Sequence, residues 1–360
     1  MSPALRSPVS DHLAFTLALH DVVAADRRRN ACWSPYSVAS ALGLAALAAR
    51  GKTRDELVAL VGEDNQALLD EGRPDDEAAF AVANTLWASD ELETNPGFAD
   101  ALAAWPGAKT RSAPFGADPD GARKLINADV AETTNDLIPD LLAPGSVGPD
   151  TVAALVNALY LKTAWLGTFP EEATAALPFA APGGAVDVPT MRREAKFRYA
   201  ARDGWQAVSL PARGGVEALV LLPDGDLGPL DEATFAALTG ALDFRQLELF
   251  LPKLDVSVNL TLKSALTGLG VRSLFERDGD LTGLSADPRL FVDEVVHEAV
   301  LRIDEDGLEG AAATAVMMRM TSFEGYVEPL TVRVDRPHLL FVRHAGTGAV
   351  YFLAQVVDPS

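Results

Sequence analysis

Two strand-patterned segments, near residues 151–165 and 289–303, stand on either side of a long β-rich stretch, and this separation constrains the chain more than any other feature. It predicts one interwoven domain over residues 1–360 rather than two units in tandem. Between and beyond these segments, WQAVSL and VEALVLL flank a Gly214-Gly215 turn and LELFLPKLDVSV is strand-like. LLFVRH and AVYFLAQVV flank Gly346 and Gly348 as a closing hairpin. DEATFAALTGAL and LTLKSALTGLG read as intervening helices, so the class is mixed α+β.

The first third carries helix signals instead. Ser34 followed by Pro35 predicts an N-cap and first-turn proline, with a stop at Arg50-Gly51. Thr53 and Glu56 have the spacing of a capping box ahead of LVALV, and Gly62 offers a stop. Asp118-Pro119 predicts a further helix running through KLINADVAETTNDLIPDLL.

The chain has 360 residues, of which 48% are hydrophobic, enough for a sizeable core. A formal net charge of −21 repels polyanions, and the single basic cluster is Arg27, Arg28 and Arg29, which argues against nucleic-acid and heparin-like partners. With Cys32 alone, no intrachain disulfide can form and a Cys-based metal site lacks ligands. MSPALRSPVSDHLAF contains no apolar run of signal-peptide length, and no stretch approaches the roughly 18 apolar residues of a membrane span. The expected setting is a reducing, cytoplasmic one without membrane attachment; export by a route not visible in the sequence is the alternative.

The five histidines, His12, His20, His297, His338 and His344, form no H-E-x-x-H pair. A nucleophile elbow, phosphate-binding loop and dinucleotide fingerprint are also missing from the sequence. Asn157 within TVAALVNALYL and His297 within FVDEVVHEAVLRI read as hydrogen-bonded polar groups in apolar surroundings. With Ser34 and Ser37 they can form one buried polar cluster, costly if partly unsatisfied.

DEDGLEGAAATAVMM, residues 304 to 318, packs acids and glycines ahead of a run of small residues. Its alanines favour a helix, but Gly307 and Gly310 each cost about 1 kcal/mol relative to alanine inside one. At period two, Leu308, Gly310, Ala312, Thr314, Val316 and Met318 fall on one side. Glu309, Ala311, Ala313, Ala315, Met317 and Arg319 fall on the other. The segment is expected to be a solvated loop or a strand of small steric demand.

Along nearly its whole length the chain resembles the serpins, the serine protease inhibitor family, in its prokaryotic, inhibitory form. The resemblance runs from NACWSPYSVASALGLAALAARGKT through DTVAALVNALYLKTAW, LFLPKLDVSVNLTLKSALTGLGVRSLF and FVDEVVHEAVLRIDEDGLEGAAATAV to DRPHLLFVRHAGTGAVYFLAQVVDP. It implies an α+β serpin fold with three β-sheets, about eight or nine helices, and an exposed reactive-centre loop at about 305–328. It also implies a monomeric inhibitor, not an enzyme, needing no cofactor or metal. Such an inhibitor is a suicide substrate: a serine protease cleaves the loop, an acyl-enzyme forms, and the loop inserts as a strand of the main sheet, distorting the trapped protease. If about twelve residues each gain roughly 0.5–1.5 kcal/mol, insertion releases on the order of ten kcal/mol, comparable to a domain's stability. The alternative within the family is a non-inhibitory binding or chaperone-like module.

Carried over residue by residue, Glu305, Gly307, Glu309, Ala311, Ala312, Ala313 and Thr314 match the inhibitory hinge pattern. Leu308 stands where a threonine or small residue is common, and Gly310 where alanine is usual. Trp165, Lys253 and Glu305 match the breach, where the loop first enters, with Lys253 and Glu305 a candidate ion pair. Ser34, Ser37, Asn157 and His297 match the shutter, whose hydrogen bonds rearrange as strands part. The family's spacing from Glu305 places the reactive bond at Thr321–Ser322, with Met320 and Arg319 as alternative positions. Thr321 or Met320 suits elastase-, chymotrypsin- or subtilisin-like proteases, and Arg319 a trypsin-like one.

Overall fold

The computed structural model describes residues 7–103, 105, 108–287, 290–309 and 328–360. Helix α1 (Pro8–Val23) starts where the Ser7 side chain accepts from the Ser10 N–H. After β1 (Ala31–Trp33), α2 (Pro35–Ala48) is capped in the same way, the Ser34 hydroxyl accepting from the Ser37 N–H at 3.1 Å. Nearly every residue of α2 is buried, so its sequence carries no polar stripe. Helices α3 (Gly51–Val61) and α4 (Asn65–Glu71) complete the first group.

The Thr53/Glu56 capping box does not form. Helix α3 begins at Gly51, and both side chains instead hold the segment that follows α8 below: Thr53 accepts from the Asp280 N–H, and Glu56 from the Arg272 and Ser273 N–H groups. A long-range partner has replaced the local one.

Strand β2 (Ala79–Ser89), α5 (Pro96–Ala103), β3 (Ala108–Ala113), α6 (Pro119–Thr133) and β4 (Ala153–Ala164) come next. Asp118 caps α6 as expected, but the helix stops at Thr133 because Asn135 and Asp136 adopt left-handed conformations. The rest of the predicted helix continues as a non-helical segment whose Ile138, Leu141 and Leu142 pack beneath α6.

Strands β5 (Ala175–Ala181), β6 (Gly184–Arg202), β7 (Trp205–Pro211) and β8 (Val216–Pro223) precede α7 (Glu232–Gly240). The β7–β8 turn uses Gly214 and Gly215, both at positive φ, and a Cβ on Gly214 would sit 2.6 Å from that of Ala78. LELFLPKLDVSV divides into β9 (Asp243–Pro252) and β10 (Leu254–Thr261), and then come α8 (Lys263–Gly268), β11 (Val295–Ile303) and β12 (Gly307–Leu308). Strands β13 (Leu330–Arg333), β14 (His338–His344) and β15 (Val350–Val356) end the chain, the last two as the expected hairpin.

The described strands form two hydrogen-bonded networks. One runs β10–β11–β12–β4–β2–β3; the other runs β1–β15–β14–β8–β7–β6–β9–β13, with β5 also on β6. The third sheet of the expectation is present as β5, β6, β9 and β13. It is continuous with its neighbour because the 19-residue β6 pairs with β5 at one end and β7 at the other.

The six-stranded sheet separates two cores. On β4 and β11 the odd-numbered residues, Leu155, Leu159, Leu161 and Val295, Ala299, Leu301, Ile303, join the main core shared with α2. The even-numbered Val156, Ala158, Val296 and Val300 instead face Ala122, Ile126 and Val130 of α6. Helix α6 therefore lies over β2 and β4, and the segment that follows it reaches β10, where the Asn259 amide donates to the Leu141 carbonyl at 3.3 Å.

Candidate functional site: a parted sheet

Strands β4 and β11 run parallel and pair directly over Leu155–Asn157 and Val295–His297. At their other end β12 lies between them: Leu308 pairs antiparallel with Ile303 on one side and Thr163 on the other, and Gly307 pairs with Ala164. Leu308 is only 1% exposed, inside the main core. Gly307 is required by this approach, since a Cβ there would come within 2.2 Å of the Thr163 carbonyl oxygen.

A tight turn delivers the chain to that seat. The Asp304 carboxylate accepts from the N–H groups of Asp306 and Gly307, and the Asp304 N–H donates to the Gly307 carbonyl at 3.1 Å. Trp165 fixes the turn from the side of β4: its indole N–H donates to the Asp304 carbonyl at 2.9 Å, and its backbone N–H to that of Asp306 at 2.9 Å.

Glu305 lies at the turn's apex with its carboxylate inward. Lys253 donates to one carboxylate oxygen at 2.7 Å, and the Thr174 hydroxyl to the other at 2.7 Å. Burial alone would raise this carboxyl, but the hydrogen bonds from Lys253 and Thr174 outweigh it and hold Glu305 below the usual carboxylate range. The bond to Glu305 in turn raises the Lys253 ammonium. Trp165, Lys253 and Glu305 thus meet at one end of the seam. Thr174 and Asp304 complete the cluster, and no motif in the sequence marks either of them.

Lower on the seam, Asn84, Asn157 and His297 form one transverse row across β2, β4 and β11. The Ser34 N–H donates to His297 Nε2 at 2.9 Å, which makes Nδ1 the protonated nitrogen of the neutral ring. Burial pushes the His297 pKa down to about 4. Asn157 donates to Asn84, whose amide donates to the Ser40 hydroxyl at 2.6 Å; Trp105 donates to the same hydroxyl at 3.3 Å. Both ends of the row return to α2. His297 Nδ1, Asn157 Oδ1 and Ser37 Oγ have no hydrogen-bond partner among the described residues. Ser34, Ser37, Asn157 and His297 are therefore brought together, while Asn84, Ser40 and Trp105 belong to the same network without a sequence pattern to reveal them.

Of the hinge residues, Glu305, Gly307 and Leu308 are placed as above, and Glu309 follows them with its N–H donating to the Arg302 carbonyl at 3.1 Å. Gly310, Ala311, Ala312, Ala313, Thr314, Arg319, Met320, Thr321 and Ser322 lie outside the described residues. Among the described residues no cluster of side chains is suited to hold a metal ion.

The sequence model of the family described as Serpin (serine protease inhibitor) matches residues 10–359. The chain belongs to the serpin family. Iripin-2 of Ixodes ricinus is 32% identical, over 95% of this chain and 91% of its own. A protein of Cyanea capillata named serine protease inhibitor is 27% identical, over 99% of each chain. The structure of uncleaved ovalbumin superposes with a TM-score of 0.86 at 24% identity, covering 98% of this serpin and all of that chain. The serpin fold is therefore shared, and the family is one of protease inhibitors rather than of enzymes. No helix of the described residues is long and apolar enough to cross a membrane.

Proposed function

We propose that this serpin inhibits serine proteases as a single-use substrate whose reactive-centre loop, residues 305–328 of one domain spanning 1–360, inserts between β4 and β11. The attacking protease serine forms an ester with the Thr321 carbonyl, the Thr321–Ser322 amide breaks, and the new amino terminus leaves on Ser322. The acylated upstream half then enters the sheet and carries the protease with it. Met320 and Arg319 are the neighbouring alternatives for the acylated residue. Elastase-, chymotrypsin- and subtilisin-like enzymes are the target class.

One observation carries this reading: Gly307 and Leu308 already occupy the seam as a strand antiparallel to both neighbours. Continuing that register sets Thr314 opposite both Asn157 and His297, where polar atoms lack partners. It puts Gly310, Ala312 and Val316 on the core side with Leu308. Ala311, Ala313 and Ala315 fall on the opposite side, between Tyr160 and Val300, Ala158 and Glu298, and Val156 and Val296 respectively, on the sheet face where α6 packs on β4. Alanines suit a strand added beside β4 on that face, because larger side chains there would press on α6 and on Ile138, Leu141 and Leu142 of the segment after it.

Incubation with chymotrypsin, pancreatic elastase and subtilisin tests the proposal. The expected product is a covalent complex that survives denaturing electrophoresis, with mass spectrometry finding an ester on Thr321 or a neighbour. Turnover to two fragments with no complex, and no rise in thermal stability of the cut chain, would make it a non-inhibitory member instead.

A further inference from the structure

Glu309 is the one charged residue between Gly307 and Met318, and it sits at the point where the seated chain ends. Its φ is 63°, a left-handed conformation uncommon for a residue other than glycine, so the extended backbone stops there. Its N–H still donates to the Arg302 carbonyl at 3.1 Å, and its carboxylate lies 3.4 Å from the Arg302 guanidinium. Arg302 is shared with Asp255 on β10, at 3.2 Å. The other group facing this carboxylate is Tyr160, whose hydroxyl is raised first by burial and then by the charge of Glu309.

Carrying the pairing of Leu308 one step forward puts Glu309 directly opposite Arg302 on β11 and Lys162 on β4. Lys162 makes no ion pair among the described residues, and both side chains lie on the sheet face away from the main core. A slip by one residue would turn Glu309 into that core, since each step exchanges the two faces of a strand.

We infer that Glu309 is the register-setting residue of loop insertion, held by Arg302 at rest and gripped by Arg302 and Lys162 together once the backbone extends. The inference rests on the insertion reading above. Straightening Glu309 adds the second cation, so the first step of strand growth is favoured only in the register that sends the alanines to the sheet face away from the main core. Without the carboxylate, slipped registers compete, insertion slows, and more acyl-enzyme is hydrolysed before the protease is distorted.

The test measures moles of serpin consumed per mole of chymotrypsin inhibited. Glu309→Gln is expected to raise this ratio about threefold to tenfold and Glu309→Lys further, with cross-strand charge pairs of ordinary strength. The triple exchange Glu309→Lys, Arg302→Glu, Lys162→Glu is expected to return it to within about twofold of the parent. High salt should move the parent toward Glu309→Gln and leave that variant unchanged. A ratio unaltered in both single variants, or one whose salt dependence is the same with and without the carboxylate, overturns the inference. A second readout, the gain in thermal midpoint on cutting the loop, separates the two readings. Absence of that gain in the parent defeats insertion itself, whereas equal gain and equal ratio in parent and Glu309→Lys defeats the register role alone.

Discussion

Acidification from pH 7.5 to 5 should destabilise this serpin through its histidines before its carboxylates matter. His297 accepts from the Ser34 N–H, and His12 accepts from that of Val350 at 3.0 Å. His20 accepts from the Trp33 indole at 3.3 Å, and His338 bonds the Arg336 carbonyl at 2.9 Å. Burial pushes His12, His297 and His338 down to about 4 and His20 to about 3. A folded pKa below the unfolded 6.5 means that the unfolded chain binds the extra proton, so stability is full above pH 7 and falls as pH drops from 6.5 toward 4. At pH 5 each ring contributes a loss of about 2 kcal/mol, and the four together about 8 kcal/mol, against a typical domain stability of about 5–15 kcal/mol. Carboxylates held low, such as Glu305, act in a lower window. Urea unfolding at half-unit steps of pH should show the midpoint falling steeply below pH 6.5, with roughly 3.5 protons taken up on unfolding near pH 5.5. His297→Gln, which keeps an acceptor for Ser34, should remove about a quarter of that slope. A urea midpoint that stays level from pH 7.5 to 5.5 would refute the reasoning, because four neutral buried imidazoles cannot then be present.

Gly307→Ala should expel the seated pair, since the added methyl meets the backbone of Thr163, and the lost burial of Leu308 should cost about 2 kcal/mol. Amide hydrogen exchange at Leu308 and Glu309 would report it as a loss of protection. Asp129 on α6 is buried and accepts from the Thr85 hydroxyl at 3.0 Å and from Arg111, half-exposed on the edge strand β3, at 3.0 Å. Asp129→Ala should lower stability by about 1–2 kcal/mol, discounted for the exposure of Arg111. It should also loosen α6 on β2 and β4, read as faster limited proteolysis of 119–133 and faster complex formation with chymotrypsin.

The sequence by itself determined the element classes, because they depend on local pattern: the Ser34-Pro35 and Asp118-Pro119 helix starts, the Gly214-Gly215 turn and the closing hairpin all appear where that pattern puts them. Its period-two reading of 304–318 turned Leu308 and Glu309 to opposite sides; Leu308 is indeed in the main core and the Glu309 carboxylate lies 3.4 Å from Arg302, although the extended backbone ends at Glu309. Local chemistry misled where a distant partner competed, as when Thr53 and Glu56 turned to the 272–280 segment. Only the tertiary structure decided that β4 and β11, 131 positions apart at Val295 and Ala164, should be neighbours parted by two residues of the same chain. Nor could spacing along the chain show that Thr174 and Asp304 would complete the Glu305 cluster, or that Asn84 and Ser40 would extend the row from His297. The reason is physical: pairing partners across a sheet are chosen by the burial of whole faces and the satisfaction of every polar group at once. That choice is made among all strands together and leaves no periodic trace in any one of them.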